Sequence, residues 1–194
     1  MSPNTREGKM KLLNVVKRGN MTTLRNMASN YELQRVGKST LNDALFAAAK
    51  HLNDRSDMIK MLIREGANPN ARDSRGNTPL TFAVQAYQID NVRTLIKHGA
   101  RPNVRGSQEV YRGYMPLHHA AMGIHEDKAL SIVKLLVNHG ALINSKTSDH
   151  QTPIQIAVKS YNEHIVRFLL DKGALQRGST SPKSSSRSST RTYR

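Results

Sequence analysis

The chain has 194 residues, 30 Lys and Arg against 14 Asp and Glu, a formal net charge of +16 and no cysteine. That length suits one domain plus tails, and the lack of cysteine excludes disulfides and thiolate metal sites and fits a reducing compartment, the cytoplasm or nucleus. No apolar leader follows MSPNTREGKMK, and no segment approaches the ~20 apolar residues of a membrane span, so a soluble protein without a membrane span is expected.

The charge is unevenly placed. Residues 1–38 hold eight Lys and Arg against Glu7 and Glu32, residues 177–194 hold five with no acid, and the middle carries the remaining +5. Two basic ends favour acidic partners, whether protein, nucleic acid or membrane surface, without choosing among them.

In chain order, residues 1–7 read as a flexible terminus. From Gly8, KMKLLNVVKRGNMTTLRNMA reads as a helix, a Gly19-Asn20 turn and a second helix, and YELQRVGKST as a link. The next unit runs from Asp43-Ala44-Leu45 through Ala48-Ala49, a long turn KHLNDRSD and a second helix MIKMLI, and ends at Gly66-Ala67. Asn77–Asn103, NTPLTFAVQAYQIDNVRTLIKHGARPN, is the clearest unit. Thr78-Pro79-Leu80 opens a helix, with Pro79 in the first turn where its missing N–H costs nothing. A second helix follows with an apolar face of Val92, Leu95 and Ile96, then Gly99-Ala100. The fourth unit carries MPLHHAA at Met115–Ala121 and eight extra residues, four in the loop GSQEVYRGY and four in the turn GIHEDKAL. A fifth, QTPIQIAVKSYNEHIVRFLLDKGA, has standard length. Beyond Gln176 the chain is almost purely Ser, Thr and Arg, and this tail at 177–194 is expected to be disordered because it cannot bury enough apolar surface to fold.

The units share one register. Gly-Ala recurs at 66, 99, 140 and 173, in steps of 33, 41 and 33 residues, each time after an apolar helix end. Glycine there suits the left-handed position that stops a helix. Leu12, Val15 and Val16 fall where the clearest unit has Leu80, Ala83 and Val84, which makes the first unit a degenerate, more polar cap. With Thr-Pro-Leu-x-x-Ala, and with His118 completing Pro-Leu-His in the fourth unit, the pattern resembles the ankyrin repeat, whose signature is Thr-Pro-Leu-His-x-Ala at a period of about 33 residues. Thr81 replaces the signature His in the clearest unit. The resemblance implies an all-α solenoid of helix-turn-helix units, about five, over 8–38, 39–72, 73–105, 106–146 and 147–176, forming one repeat domain over 8–176.

Residues able to do chemistry are few. His118, His119 and His125 suggest a metal only at first sight: no carboxylate or thiolate lies at a ligand spacing and His-Glu-x-x-His is absent. The resemblance gives His118 a structural hydrogen-bonding role instead. The isolated glycine turns make no phosphate-cradling loop, no Gly-x-Ser-x-Gly elbow is present and the acids are scattered. No enzyme, cofactor or metal is expected. Asn70, Asn103 and Asn144 hold one place after each Gly-Ala, and short amides there stabilise turns.

In ankyrin proteins the loop tips and the exposed side of each first helix form the usual concave interaction surface. Carried across, those places are Arg72, Arg75 and Asn77 at one tip, Arg105, Tyr111, Arg112 and Tyr114 at the next, and Lys146 at the last. Tyr and Arg are the side chains most enriched at binding hot spots, and the insertion adds reach at Arg105–Tyr114. An ordinary solvated basic edge accounts for the same residues. The resemblance implies a monomeric, stand-alone adaptor or inhibitor that docks an acidic or mixed protein surface. Ankyrin-only proteins of this size include inhibitors similar to those of NF-kappa-B. The alternative is a nucleic-acid-associated protein that uses its basic ends, with the repeats as scaffold.

Overall fold

A computed structural model describes residues 3–107 and 111–175. The described residues form the helices α1 (Pro3–Arg18), α2 (Met21–Ser29), α3 (Glu32–Arg35), α4 (Lys38–Ala49), α5 (Ser56–Arg64), α6 (Pro79–Gln85), α7 (Ile89–Lys97), α8 (Pro116–Ala121), α9 (Glu126–Asn138), α10 (Pro153–Lys159) and α11 (Glu163–Asp171). First helices α1, α4, α6, α8 and α10 stack in one layer, and second helices α2, α5, α7, α9 and α11 in the other. This is the expected solenoid of helix pairs. The Ser/Arg tail expected at 177–194 lies outside the described residues.

α6, α8 and α10 are 7, 6 and 7 residues long. Isolated helices below ~12 residues are marginal in water, so these depend on packing. Leu80, Ala83 and Val84 are sealed against Val92 and Leu95, and Leu117, Ala120 and Ala121 against Ile132, Val133 and Leu136. The alanines face other helices, where a small side chain lets backbones approach. Pro79, Pro116 and Pro153 open their helices at the first position. Gly66, Gly99, Gly140 and Gly173 take φ of +106°, +88°, +85° and +87°, the left-handed stop expected of them.

The second position after each opening proline shows how three residue types solve one problem. The backbone N–H before the proline needs an acceptor. Thr78 donates to Thr81 Oγ1 at 3.4 Å, Met115 to His118 Nδ1 at 3.0 Å and Thr152 to Gln155 Oε1 at 3.0 Å. Among the described residues, only the imidazole of the three makes a further bond to the next unit, with Nε2 donating to the Ser145 carbonyl at 3.1 Å. His118 is thus structural, and Thr81 replaces its first bond but not its second.

Asn70, Asn103 and Asn144 clasp successive units. Each amide donates to a Gly carbonyl one unit on (Gly99 2.8 Å, Gly140 2.9 Å, Gly173 3.2 Å) and accepts the N–H of Arg101, Leu142 and Leu175 respectively. Both halves of each amide therefore bond backbone of the neighbouring unit.

The first two units depart from expectation. α1 already begins at Pro3, inside the segment read as flexible, with Pro3 at the opening position that suits it and Gly8 passing close to Val36. The link YELQRVGKST holds the short helix α3 and the start of α4. α4 begins at Lys38, so Asp43 lies inside a helix rather than at its cap, where it pairs with Lys9 Nζ at 2.6 Å and ties α1 to α4.

Candidate functional site

The tip before each of the last three first helices is a small backbone loop. Asp73 N donates to Asn77 O and Thr147 N to Gln151 O, both at 3.0 Å, and Gly106 N donates to Tyr114 O at 2.9 Å across four more residues. The insertion is therefore the same loop enlarged. It is stapled on both sides. Ser107 N and Oγ donate to the Arg75 carbonyl at 2.9 and 2.7 Å, and Ser148 N donates to the Arg112 carbonyl at 3.1 Å. Gly113, at φ +76°, makes the second staple possible, because a Cβ there would stand 2.7 Å from Ser148 N.

Arg72, Arg75, Arg105, Arg112 and Lys146 are exposed along this edge. Arg72 Nη1 donates to the Arg105 carbonyl at 3.4 Å and Arg105 Nη1 to the Lys146 carbonyl at 2.8 Å. A guanidinium tethered to backbone one unit away loses little further freedom on binding. Asp73, the acid nearest Arg72 in sequence, spends its carboxylate on Arg75 N at 2.9 Å and on Asn77 N at 2.8 Å. Among the described residues none of the five cations has a carboxylate partner within 4.0 Å.

Asn77 does not belong to this surface. It is 1 % exposed, bonds back to Asp73, and its Oδ1 lies where a Cβ on Gly106 would clash at 2.7 Å. Its sequence position is a tip, but the next unit's loop covers the side chain.

Tyr111 and Tyr114 are half-buried and form a cluster with two imidazoles. Their rings meet edge-on at 5.2 Å. Tyr111 meets His119 at 5.2 Å, and Tyr114 packs against His119 at 5.2 Å and His118 at 5.5 Å. Gln85 Nε2 reaches His119 from the preceding unit at 3.4 Å. Burial drives His119 down to about 4, with His118 beside it adding to the effect, and burial likewise drives His118 to about 4, with Arg105 contributing and the backbone bonds opposing. Burial, then the charge of Asp149, raises the Tyr114 phenol. Both imidazoles are neutral near pH 7, so the edge owes its positive charge to Arg and Lys alone.

His119 was legible only as one of three histidines; nothing in the repeat pattern marks it as the floor under both tyrosines. The face of the first helices adds a second patch that the sequence reading passed over. Phe46 and Phe82 meet edge-on at 5.9 Å, and Lys50 Nζ stands 4.1 Å over the Phe82 ring. A phenylalanine one place after the Thr81 register position was the available signal.

Among the described residues, no group of three or more His, Cys, Asp or Glu side chains is placed to hold a metal, and no helix is long and apolar enough to cross a membrane. A family model described as ankyrin repeats (3 copies) matches residues 12–106 and 105–177. An ankyrin repeat protein of Rickettsia bellii is 36% identical over 128 residues, covering 63% of this chain and 37% of its own length. The ankyrin repeat protein OPG189 of variola virus is 28% identical over 132 residues, covering 59% of this chain and 22% of its own length. The tyrosine-protein kinase HTK16 of Hydra vulgaris is 29% identical over 116 residues, which is 60% of this chain and 14% of the kinase. This chain thus spans little more than a third, or less, of these relatives.

Proposed function

The chain belongs to the ankyrin-repeat family, whose fold is a non-catalytic scaffold for protein–protein recognition, and on that premise we propose that it holds a protein partner of acidic or mixed surface along the edge of Arg72, Arg75, Arg105, Arg112 and Lys146, anchored at Tyr111 and Tyr114. The observation that carries this reading is the enlarged loop at 106–114, which is stapled to both neighbouring tips and sets two tyrosines beside pre-tethered guanidinium groups. Half-buried tyrosines backed by packed rings make rigid contact surface at low entropic cost, and the surrounding cations, which have no carboxylate partner among the described residues, favour acidic groups. The partner is met in the cytoplasm or nucleus, in keeping with a chain without cysteine.

The experiment is capture of partners from cell extract by the full chain, with and without nuclease, beside a variant carrying Arg105→Ala, Tyr111→Ala and Arg112→Ala. A protein that survives nuclease and is lost with the triple variant supports the reading. Loss on nuclease treatment, or retention by the triple variant, overturns it, the first in favour of nucleic acid held by the basic ends.

A further inference from the structure

We propose that the outer face of the last helix pair, α10 and α11, docks against the same face of a second copy of this chain. The observation is a register comparison between units. Val84 is 0 % exposed and its equivalent Val158 is 55 % exposed. Tyr87 is 7 % exposed, with its ring edge-on to His125 at 5.0 Å and its hydroxyl accepting the Ile124 N–H at 3.2 Å. Its equivalent Tyr161 takes nearly the same left-handed φ, 55° against 51°, and is 89 % exposed. Val166 and Leu170 are likewise more exposed than their equivalents Val133 and Val137. Each apolar group that meets the following unit in the middle of the stack is presented here to nothing among the described residues, and together they line a groove of about 480 Å³. Contiguous apolar surface of this kind marks an interaction site.

Two features of the sequence show that the repeat register breaks at this face. The clasping Asn, four residues after each Gly, is replaced by Arg177 after Gly173. The segment 177–194 offers Tyr193 as its only large apolar side chain, so its composition supplies no hydrophobic cover.

Charge selects the second copy. On α11 Glu163, Arg167 and Asp171 stand at intervals of four, one row beside the apolar row of Val166 and Leu170. None of the three is paired within 4.0 Å among the described residues. The row reads acid, base, acid, so an antiparallel copy shifted by one turn sets each Arg167 against an acid of the other chain while the apolar rows meet. A two-fold contact needs such a self-complementary patch. The charges set register and orientation; the affinity comes from the apolar row.

Sedimentation equilibrium of the full chain tests this. The wild type is expected to pair at up to about 100 μM, as suits a contact near the small end of specific interfaces. Arg167→Glu makes the row all acidic, and Glu163→Arg with Asp171→Arg makes it all basic. Each variant alone is expected to weaken pairing about tenfold or more, and an equimolar mixture of the two to restore it. All three positions are exposed, so melting temperatures should stay within a few degrees and report intact folds. A monomeric wild type, variants that still pair, or a mixture that fails to re-associate overturns the proposal.

Discussion

Lowering the pH from 7 to 5 should strip stability from this fold through two side chains, His118 and His119. Both are held at about 4, against 6.5 for a free imidazole, chiefly because burial disfavours the cation. The fold therefore prefers neutral rings, and the unfolded chain takes up protons first as the pH falls. Their contribution is fully present above about pH 6.5 and is lost as the pH falls toward 4, at roughly 1.4 kcal/mol per pH unit for each ring. At pH 5 that amounts to roughly 2 kcal/mol each, somewhat less for the pair if protonation of one ring loosens the cluster. A domain of ordinary stability, about 5–15 kcal/mol, would register such a loss clearly. The assay is urea unfolding followed by the helical circular dichroism signal at pH 7, 6 and 5, a window above the ordinary titration of carboxylates. Gln at both positions keeps the acceptor for Met115 N–H, as Gln155 does for Thr152, and cannot titrate, so the double variant should show a much flatter profile. Equal wild-type stability at pH 7 and 5, or an equal loss in the double variant, would refute the burial argument.

Two further predictions concern the ties between units. Gly113→Ala adds a Cβ 2.7 Å from Ser148 N at a φ of +76°, so it should cost about 1–2 kcal/mol, lower the melting temperature and weaken partner capture, whereas Ala at exposed Ser74 should do neither. Asn103→Ala removes the bonds to Gly140 O and Leu142 N and should cost about 1–2 kcal/mol, with hydrogen exchange accelerating at Leu142 more than within α6.

The repeat architecture was legible because its signals are local and periodic. Gly-Ala at 66, 99, 140 and 173 marks where helices stop, and the apolar spacing before each marks which side is covered. That Asn70, Asn103 and Asn144 are structural follows from their fixed place in that register, and the resemblance to the ankyrin repeat gives His118 its structural role; that the asparagines bond the neighbouring unit shows only in the packing. α3 was missed because four residues are too few to show a period, and the early start of α4 because no Thr-Pro opens that unit. At the site, the exposed arginines were legible but Asn77 was not. Its burial depends on Gly106, 29 residues away, a contact that belongs to packing rather than pattern. His119 under the two tyrosines is hidden for the same reason, since Tyr111 and Tyr114, which pack on it, belong to a loop of non-standard length that follows no repeat template.

The most direct test of the interaction edge is hydrogen-exchange footprinting of the full chain with and without its captured partner. Protection concentrated at the tips around Arg75, Arg105–Tyr114 and Lys146, and absent from the second-layer helices α5 and α7, is the predicted result. Protection confined to those second-layer helices or to the basic ends would place the partner elsewhere and contradict the account.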